Sequence, residues 1–184
     1  MILIEQQAED VKLSFEFQMN AEVDGIRLVS ANIHRNPDFI LDDEGCVLTS
    51  GVTFKPGDCS RKIWPEKQSV TLAVDFDFRI WWREKGRRDL ARVRCRFDAD
   101  YELRPGFEPS EQQISAFHHG NAIFNCWPYF REFIQSAIVR MSLPAPTIPF
   151  LRLVPKPNAR IIDAEGTKAI EAPPSKPAKK KKPR

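Results

Sequence analysis

Glycine is sparse, eight in 184 residues, and no two stand at the spacing of a G-x-G-x-x-G or Walker A loop. The backbone cradle for a nucleotide's phosphates is therefore missing, and with it ATP-driven work. Cysteine is scarce and scattered: Cys46, Cys59, Cys95 and Cys126 form no C-x-x-C pair. That spacing argues against a zinc cluster and against a disulfide framework, and it fits a reducing cytoplasm. Of three histidines, His34 ends a strand-like segment and His118-His119 adjoin Gly120 at an expected helix end. They offer neither an i, i+4 ligand pair nor a nearby carboxylate, so no metal, cofactor or catalytic residue is expected. No apolar run approaches the roughly 18 residues of a membrane span. The N-terminus, Met-Ile-Leu-Ile-Glu, has no basic region and is not expected to be a signal peptide.

Excess charge is also lacking, since the net value is only +3. Its distribution is uneven. From Glu171 to Arg184 five lysines and one arginine face one glutamate, so a slightly acidic body carries a basic tail. Such a body is not a nucleic-acid-binding surface by charge alone.

What the sequence does have is strict period-two alternation. Val70, Leu72, Val74, Phe76, Phe78, Ile80 and Trp82 occupy every even position of one segment. Ala91, Val93, Cys95, Phe97, Ala99, Tyr101 and Leu103 occupy every odd position of the next. Each segment is expected to be a strand with one face on a core and one in water. The polar stretch Arg83 to Arg88, containing Gly86, joins them as a hairpin. Antiparallel pairing that puts Asp77 opposite Arg94 and Asp75 opposite Arg96 aligns Phe78 with Val93 and Phe76 with Cys95. Opposite charges across a strand pair contribute about 0.2–1 kcal/mol each. The flaw in this register is Arg79 opposite Arg92.

Upstream, Gly25 to Arg35 and Cys46 to Phe54 are expected to be strands, the second closed by Pro56-Gly57. Val11 to Met19 alternates too and is read as a strand, with an N-terminal helical arm as the alternative. Downstream the period changes. Ser110 and Gln113 have the spacing of a capping box, and the short helix they open is expected to stop near Gly120-Asn121. A longer helix is expected from about Asn125, with Pro128 in its first turn, where proline is tolerated. Phe130, Phe133, Ile134, Ala137, Ile138 and Met141 follow its apolar period, and Leu143-Pro144 ends it. A thiol such as Cys126 in that first turn can have a lowered pKa, yet no histidine stands beside it. Beyond Pro155 the chain is rich in Pro, Ala and Lys and is expected to be disordered. The expected division is 1–24 as an N-terminal extension, 25–154 as the folded domain and 155–184 as the tail.

Strands first and helices second imply an α+β fold with helices on one face of an antiparallel sheet. The run Asn125-Cys126-Trp127-Pro128-Tyr129-Phe130-Arg131-Glu132-Phe133-Ile134, followed by Arg140-Met141-Ser142-Leu143-Pro144, resembles the helix signature of SecB-like chaperones. The resemblance extends from about Gly25 to Val154. It implies a four-stranded antiparallel sheet with a short and a long helix packed on one face, assembled as a homotetramer, a dimer of dimers. It further implies an interface along the long helix at Tyr129, Arg131, Glu132, Gln135 and Ser136. Apolar client-binding grooves would involve Phe39, Ile40, Leu41 and Phe54 on one side and Ile148, Phe150 and Leu151 on the other. The same residues could instead cover the sheet edge of their own chain.

The implied function is an ATP-independent holdase for unfolded or nascent polypeptides. Its downstream partner would be the motor SecA in export or a cognate antitoxin. The export branch's second helix is missing here, and Arg92, Arg94 and Arg96 point outward where that branch is acidic. Both departures favour the antitoxin-protecting branch. The alternative is a nucleic-acid-associated or other interaction module that uses the basic tail. Because its lysines have no aromatics between them, nucleic acid is the less favoured partner.

Overall fold

The computed structural model describes residues 1–38, 48–63, 67–82 and 89–156. Its elements run β1 (Ile2–Gln6), α1 (Ala8–Gln18), β2 (Ala21–Arg35), β3 (Leu48–Ile63), β4 (Gln68–Trp82), β5 (Asp89–Leu103), α2 (Glu111–Phe117), α3 (Ile123–Arg140) and β6 (Leu151–Pro155). The fold is α+β. A four-stranded antiparallel sheet has the order β2-β5-β4-β3, with the helices on one face.

The alternating segments are β4 and β5, at the centre of the sheet. Their apolar positions, from Val70 to Ile80 and from Ala91 to Leu103, are almost completely buried. The expected register holds: Asp77 pairs with Arg94, Asp75 with Arg96, Phe78 with Val93 and Phe76 with Cys95. Arg79 does stand opposite Arg92, and Asp77 resolves the conflict. The Arg92 Nε donates to Asp77 at 2.9 Å and Arg79 Nη2 donates to the same carboxylate at 3.2 Å. The connecting segment 83–88 lies outside the described residues.

An aromatic seam joins sheet to helix. Phe76 and Phe130 stack with ring centroids 4.4 Å apart and an interplanar angle of 15°. Trp127 adjoins Phe130 at 5.1 Å, and Phe97 meets Phe133 edge-on at 6.3 Å. Such pairs contribute about 0.5–1.5 kcal/mol beyond the burial of their area.

Four sequence expectations need correction. Val11 to Met19 belongs to helix α1, not to a strand. Phe17 is fully buried against Phe117, 4.5 Å away, whereas Phe15 and Met19 are exposed. A helix turns these alternating positions to different sides, and packing against α2 decides between the two periods.

β3 does not end at Pro56-Gly57 but continues to Ile63 through a register shift between Pro56 and Cys59. As an edge strand it tolerates a residue with no N–H. The short helix does not stop at Gly120. His118–Ala122 forms a π-helical turn that runs directly into α3, so Pro128 lies inside a helix rather than in its first turn. Gly120 is not a cap but packs against the end of the Gln6 side chain, which a Cβ there would displace. Finally, His118 is a core residue, its Nε2 2.6 Å from the Ala73 carbonyl, and burial lowers its pKa.

The capping box forms as expected. Gln113 N donates to Ser110 Oγ at 3.2 Å, and Ser110 N donates to Gln113 Oε1 at 2.9 Å. Residues 1–24 add a strand and a helix to the body. β1 pairs in parallel with β6, and Ser14 Oγ donates to Asn121 at 3.0 Å. The tail from residue 157 onward lies outside the described residues.

Phe130→Ala is expected to lower unfolding free energy by about 3–5 kcal/mol, because it opens a cavity at the seam. Ser110→Ala should cost only about 1 kcal/mol. Denaturant titrations of both variants check the order.

Candidate functional site

The outer face of the sheet carries an ion-pair lattice. Arg96 donates to Asp75 at 2.7 and 3.1 Å and to Asp58, in the β3 bulge, at 2.7 Å. Arg27 on β2 pairs with Asp98 and Asp100, and Thr71 Oγ1 donates to Asp100 at 2.5 Å. Arg94 is the loosest member, 3.8 Å from Asp77 and more than half exposed. The lattice frames a trough of about 560 Å³ between Ser30 and Asn32 on one side and Thr53 and Lys55 on the other. The outward arginines are thus matched by aspartates on neighbouring strands. They do not make a bare cationic face.

Two apolar surfaces remain open on the helix side. The first is a shelf at the β3 edge. Half-buried Phe54 meets Trp127 edge-on at 5.9 Å. Trp127 in turn donates through Nε1 to the Pro149 carbonyl at 3.1 Å, which fixes the strand-like segment after α3. Phe150 follows and is 74% exposed, its ring lying 4.7 Å from the Arg131 guanidinium carbon. The buried Nε of Arg131 has no hydrogen-bond partner among the described residues. The second surface is the core-side face of edge strand β2. There Val23, Leu28 and Ile33 pair with buried Tyr101, Phe97 and Val93, yet each is 42% exposed or more.

The sequence-expected site residues divide accordingly. Phe54 packs on Trp127, whose indole holds Pro149, the residue before Phe150. Ile148 and Leu151 are corrected: both are buried members of the core cluster and line no open surface. Leu151 faces away from Phe150, as alternation at the start of β6 requires, whereas Ile148 lies before the strand and turns into the core. Phe39, Ile40 and Leu41 lie outside the described residues. On α3, Tyr129, Glu132, Gln135 and Ser136 are exposed along with Phe124 and Val139. Arg131 is only partly exposed and faces Phe150, so it belongs to the shelf. The β2 strip was missed. Its signal was present in Ile26, Leu28 and Ile33, but no pattern within one strand tells which face a helix will cover.

The described thiols show no activation, and burial raises the pKa of each. Burial pushes Cys95 and Cys126 up to about 12, which corrects the option of a low pKa for Cys126. No group of three or more potential metal ligands occurs among the described residues.

The geometry matches a known structure. No protein-family model and no curated protein matches the sequence. Among solved structures, the Mycobacterium tuberculosis SecB-like chaperone Rv1957, in complex with a ChAD peptide from the Rv1956 HigA1 antitoxin, superposes with a TM-score of 0.62 at 22% identity. The match covers 78% of this chain and 99% of that one. This chain has the SecB-like fold. A Streptococcus agalactiae protein of unknown function is far more distant, with a TM-score of 0.40 and 11% identity over 71% of this chain and 97% of its own. Within the SecB-like frame, the sheet is the four-stranded layer and α3 is its long helix.

The lattice sets a pH dependence. The Arg92 and Arg79 hydrogen bonds hold the Asp77 carboxyl at about 2, below its ordinary 3.8. A depressed carboxylate contributes stability above its unfolded pKa, and that stability is lost as pH falls from about 5 toward 2. Asp77→Asn should therefore be less stable than the unsubstituted chain at pH 7, with the two converging near pH 2. Thermal unfolding across that range checks this, and a gap that stays constant with pH would contradict it.

Proposed function

We propose that the chain is an ATP-independent holdase that binds extended, apolar polypeptide segments, with an antitoxin as its cognate client. The observation that carries this reading is the shelf of Phe54, Trp127, Phe150 and Arg131. An aromatic ring exposed over most of its surface, backed by the Arg131 guanidinium, suits a peptide in extended form. The ring takes an apolar side chain, and the Arg131 guanidinium over it backs that contact. Without a nucleotide, holding works by mass action, favouring whichever client is slow to bury its own apolar segments. The fold shared with a chaperone captured on an antitoxin peptide supports this choice of client. Export through SecA has less support, because the outward sheet face is a balanced lattice and not an acidic one.

The assembly proposed with it is a homotetramer, a dimer of dimers. β2 offers both an open hydrogen-bonding edge and an uncovered apolar strip, which a two-fold-related β2 would satisfy. The exposed face of α3, with Tyr129, Glu132, Gln135 and Ser136, would join the two dimers. A cytoplasmic location accords with the free cysteines, and no helix among the described residues is long and apolar enough to cross a membrane.

The test is suppression of aggregation of a slow-folding client, without ATP. Phe150→Ala should weaken client affinity about tenfold while changing stability by no more than about 0.5 kcal/mol, as expected for an exposed ring. Ile148→Ala, by contrast, should destabilise the fold by roughly 2–5 kcal/mol. A folded Phe150→Ala chain that holds clients as well as the unsubstituted chain would overturn the shelf as the client site.

A further inference from the structure

A groove of about 730 Å³ opens between β1, α1 and α2, away from both apolar surfaces. Carboxylates come to it from three separate elements: Glu5 from β1, Glu9 and Asp10 from α1, and Glu111 from α2. Glu111 accepts from Arg61 at 2.6 Å. Glu5, Glu9 and Asp10 make no ion pair among the described residues. The α1 dipole favours Glu9 and Asp10 in its first turn whatever lies beside them. Glu111 likewise opens α2 and already pairs with Arg61, whereas Glu5, on β1, has no such reason to be there; together the four leave the groove net negative.

The exit point of the chain identifies an occupant. Lys156, the last described residue, donates its backbone N–H to the Gln6 carbonyl at 3.0 Å, and Gln6 lines this same groove. The C-terminal tail therefore starts at the rim of the groove. It ends in Lys179-Lys180-Lys181-Lys182-Pro183-Arg184, whose five positive charges exceed the whole chain's net +3. A coil reaching from Lys156 to Lys179 spans roughly 25 Å, enough to turn back over a groove of this size. Attachment at the rim also holds the lysines at an effective concentration of the order of millimolar.

We propose that the groove between β1, α1 and α2 is the docking site of the chain's own basic tail, Lys179–Arg184. The ammonium groups pair with Glu5, Glu9, Asp10 and Glu111, and the lysine stems lie over Ile4 and Leu13, which form the apolar part of the lining. Docking ties the last segment of the chain across the β1–β6 ribbon. It also withdraws the lysine run from phosphate-bearing partners. The proposal is independent of the chaperone reading.

Zero-length carbodiimide coupling of the full chain, mapped by mass spectrometry, tests it. A mixture of isotopically light and heavy chains separates coupling within a chain from coupling between chains. The expected result is same-chain coupling of Lys179–Lys182 to Glu5, Glu9, Asp10 or Glu111. Its yield should fall about tenfold between 50 mM and 500 mM salt, because exposed pairs are screened. Glu5→Gln/Glu9→Gln/Asp10→Asn should abolish most of it. Replacing Lys179 to Lys182 by Gln leaves the folded body untouched, and it should speed amide exchange across residues 4–13 and 111–119. Coupling spread evenly over carboxylates elsewhere, coupling mainly between chains, or amide exchange indifferent to the tail lysines would each overturn the proposal. So would the absence of coupling together with tight binding of a plain DNA duplex through the tail.

Discussion

The structure depends on a mismatch of widths. Four strands spaced about 4.8 Å apart present an apolar face wider than one helix, which with its side chains is about 10–12 Å across. α3 meets that face through the Phe76–Phe130 stack and reaches β5 through Phe133. The return segment with Pro149 and Ile148 fills the β3 side, held by the Trp127 hydrogen bond. On the β2 side Ala21 and Ile26 pack against the core, but the described chain covers little else. Val23, Leu28 and Ile33 therefore stay open although their pairing partners on β5 are buried. The uncovered strip results from packing one long helix on four strands, and it is what makes a second copy necessary in the proposed assembly.

The two faces of the sheet work differently. On the outer face every arginine of the lattice has an aspartate within 4.0 Å, from the same strand or a neighbour. Such exposed pairs add little stability each, yet they fix the register and leave few unpaired charges to recruit a partner. The inner side is where binding capacity lies. Phe150 projects while Ile148 and Leu151 are anchored in the core, so a rigid body presents the most exposed aromatic ring among the described residues.

Much of this was legible in the sequence. Strict alternation in Val70–Trp82 and Ala91–Leu103 gave both central strands, and their charges gave the register to the residue. The Ser110–Gln113 spacing gave the helix start. Other features depend on contacts distant in sequence. Gly120 looks like a helix stop until Gln6 is brought against it, because β1 pairs with β6 some 150 residues away. α1 imitates a strand because Phe15 and Phe17 alternate with polar residues, and only Phe117 and Tyr101 show which ring is buried. Ile148 and Leu151 share the composition of Phe150, and burial separates them. The tail's lysines were plain, but the carboxylates that face its exit come from three elements that only the fold assembles.

The central claim is that the face α3 leaves bare on β2 is covered by another copy of this chain. Native mass spectrometry of the full chain beside a Leu28→Asp/Ile33→Asp variant tests it most directly. Both side chains are more than two-fifths exposed, so the protomer fold should survive the exchange. The account predicts a species of four 21.2 kDa chains for the unsubstituted protein, and its collapse to smaller species in the variant. A monomeric unsubstituted chain, or an assembly indifferent to two aspartates on β2, would contradict it.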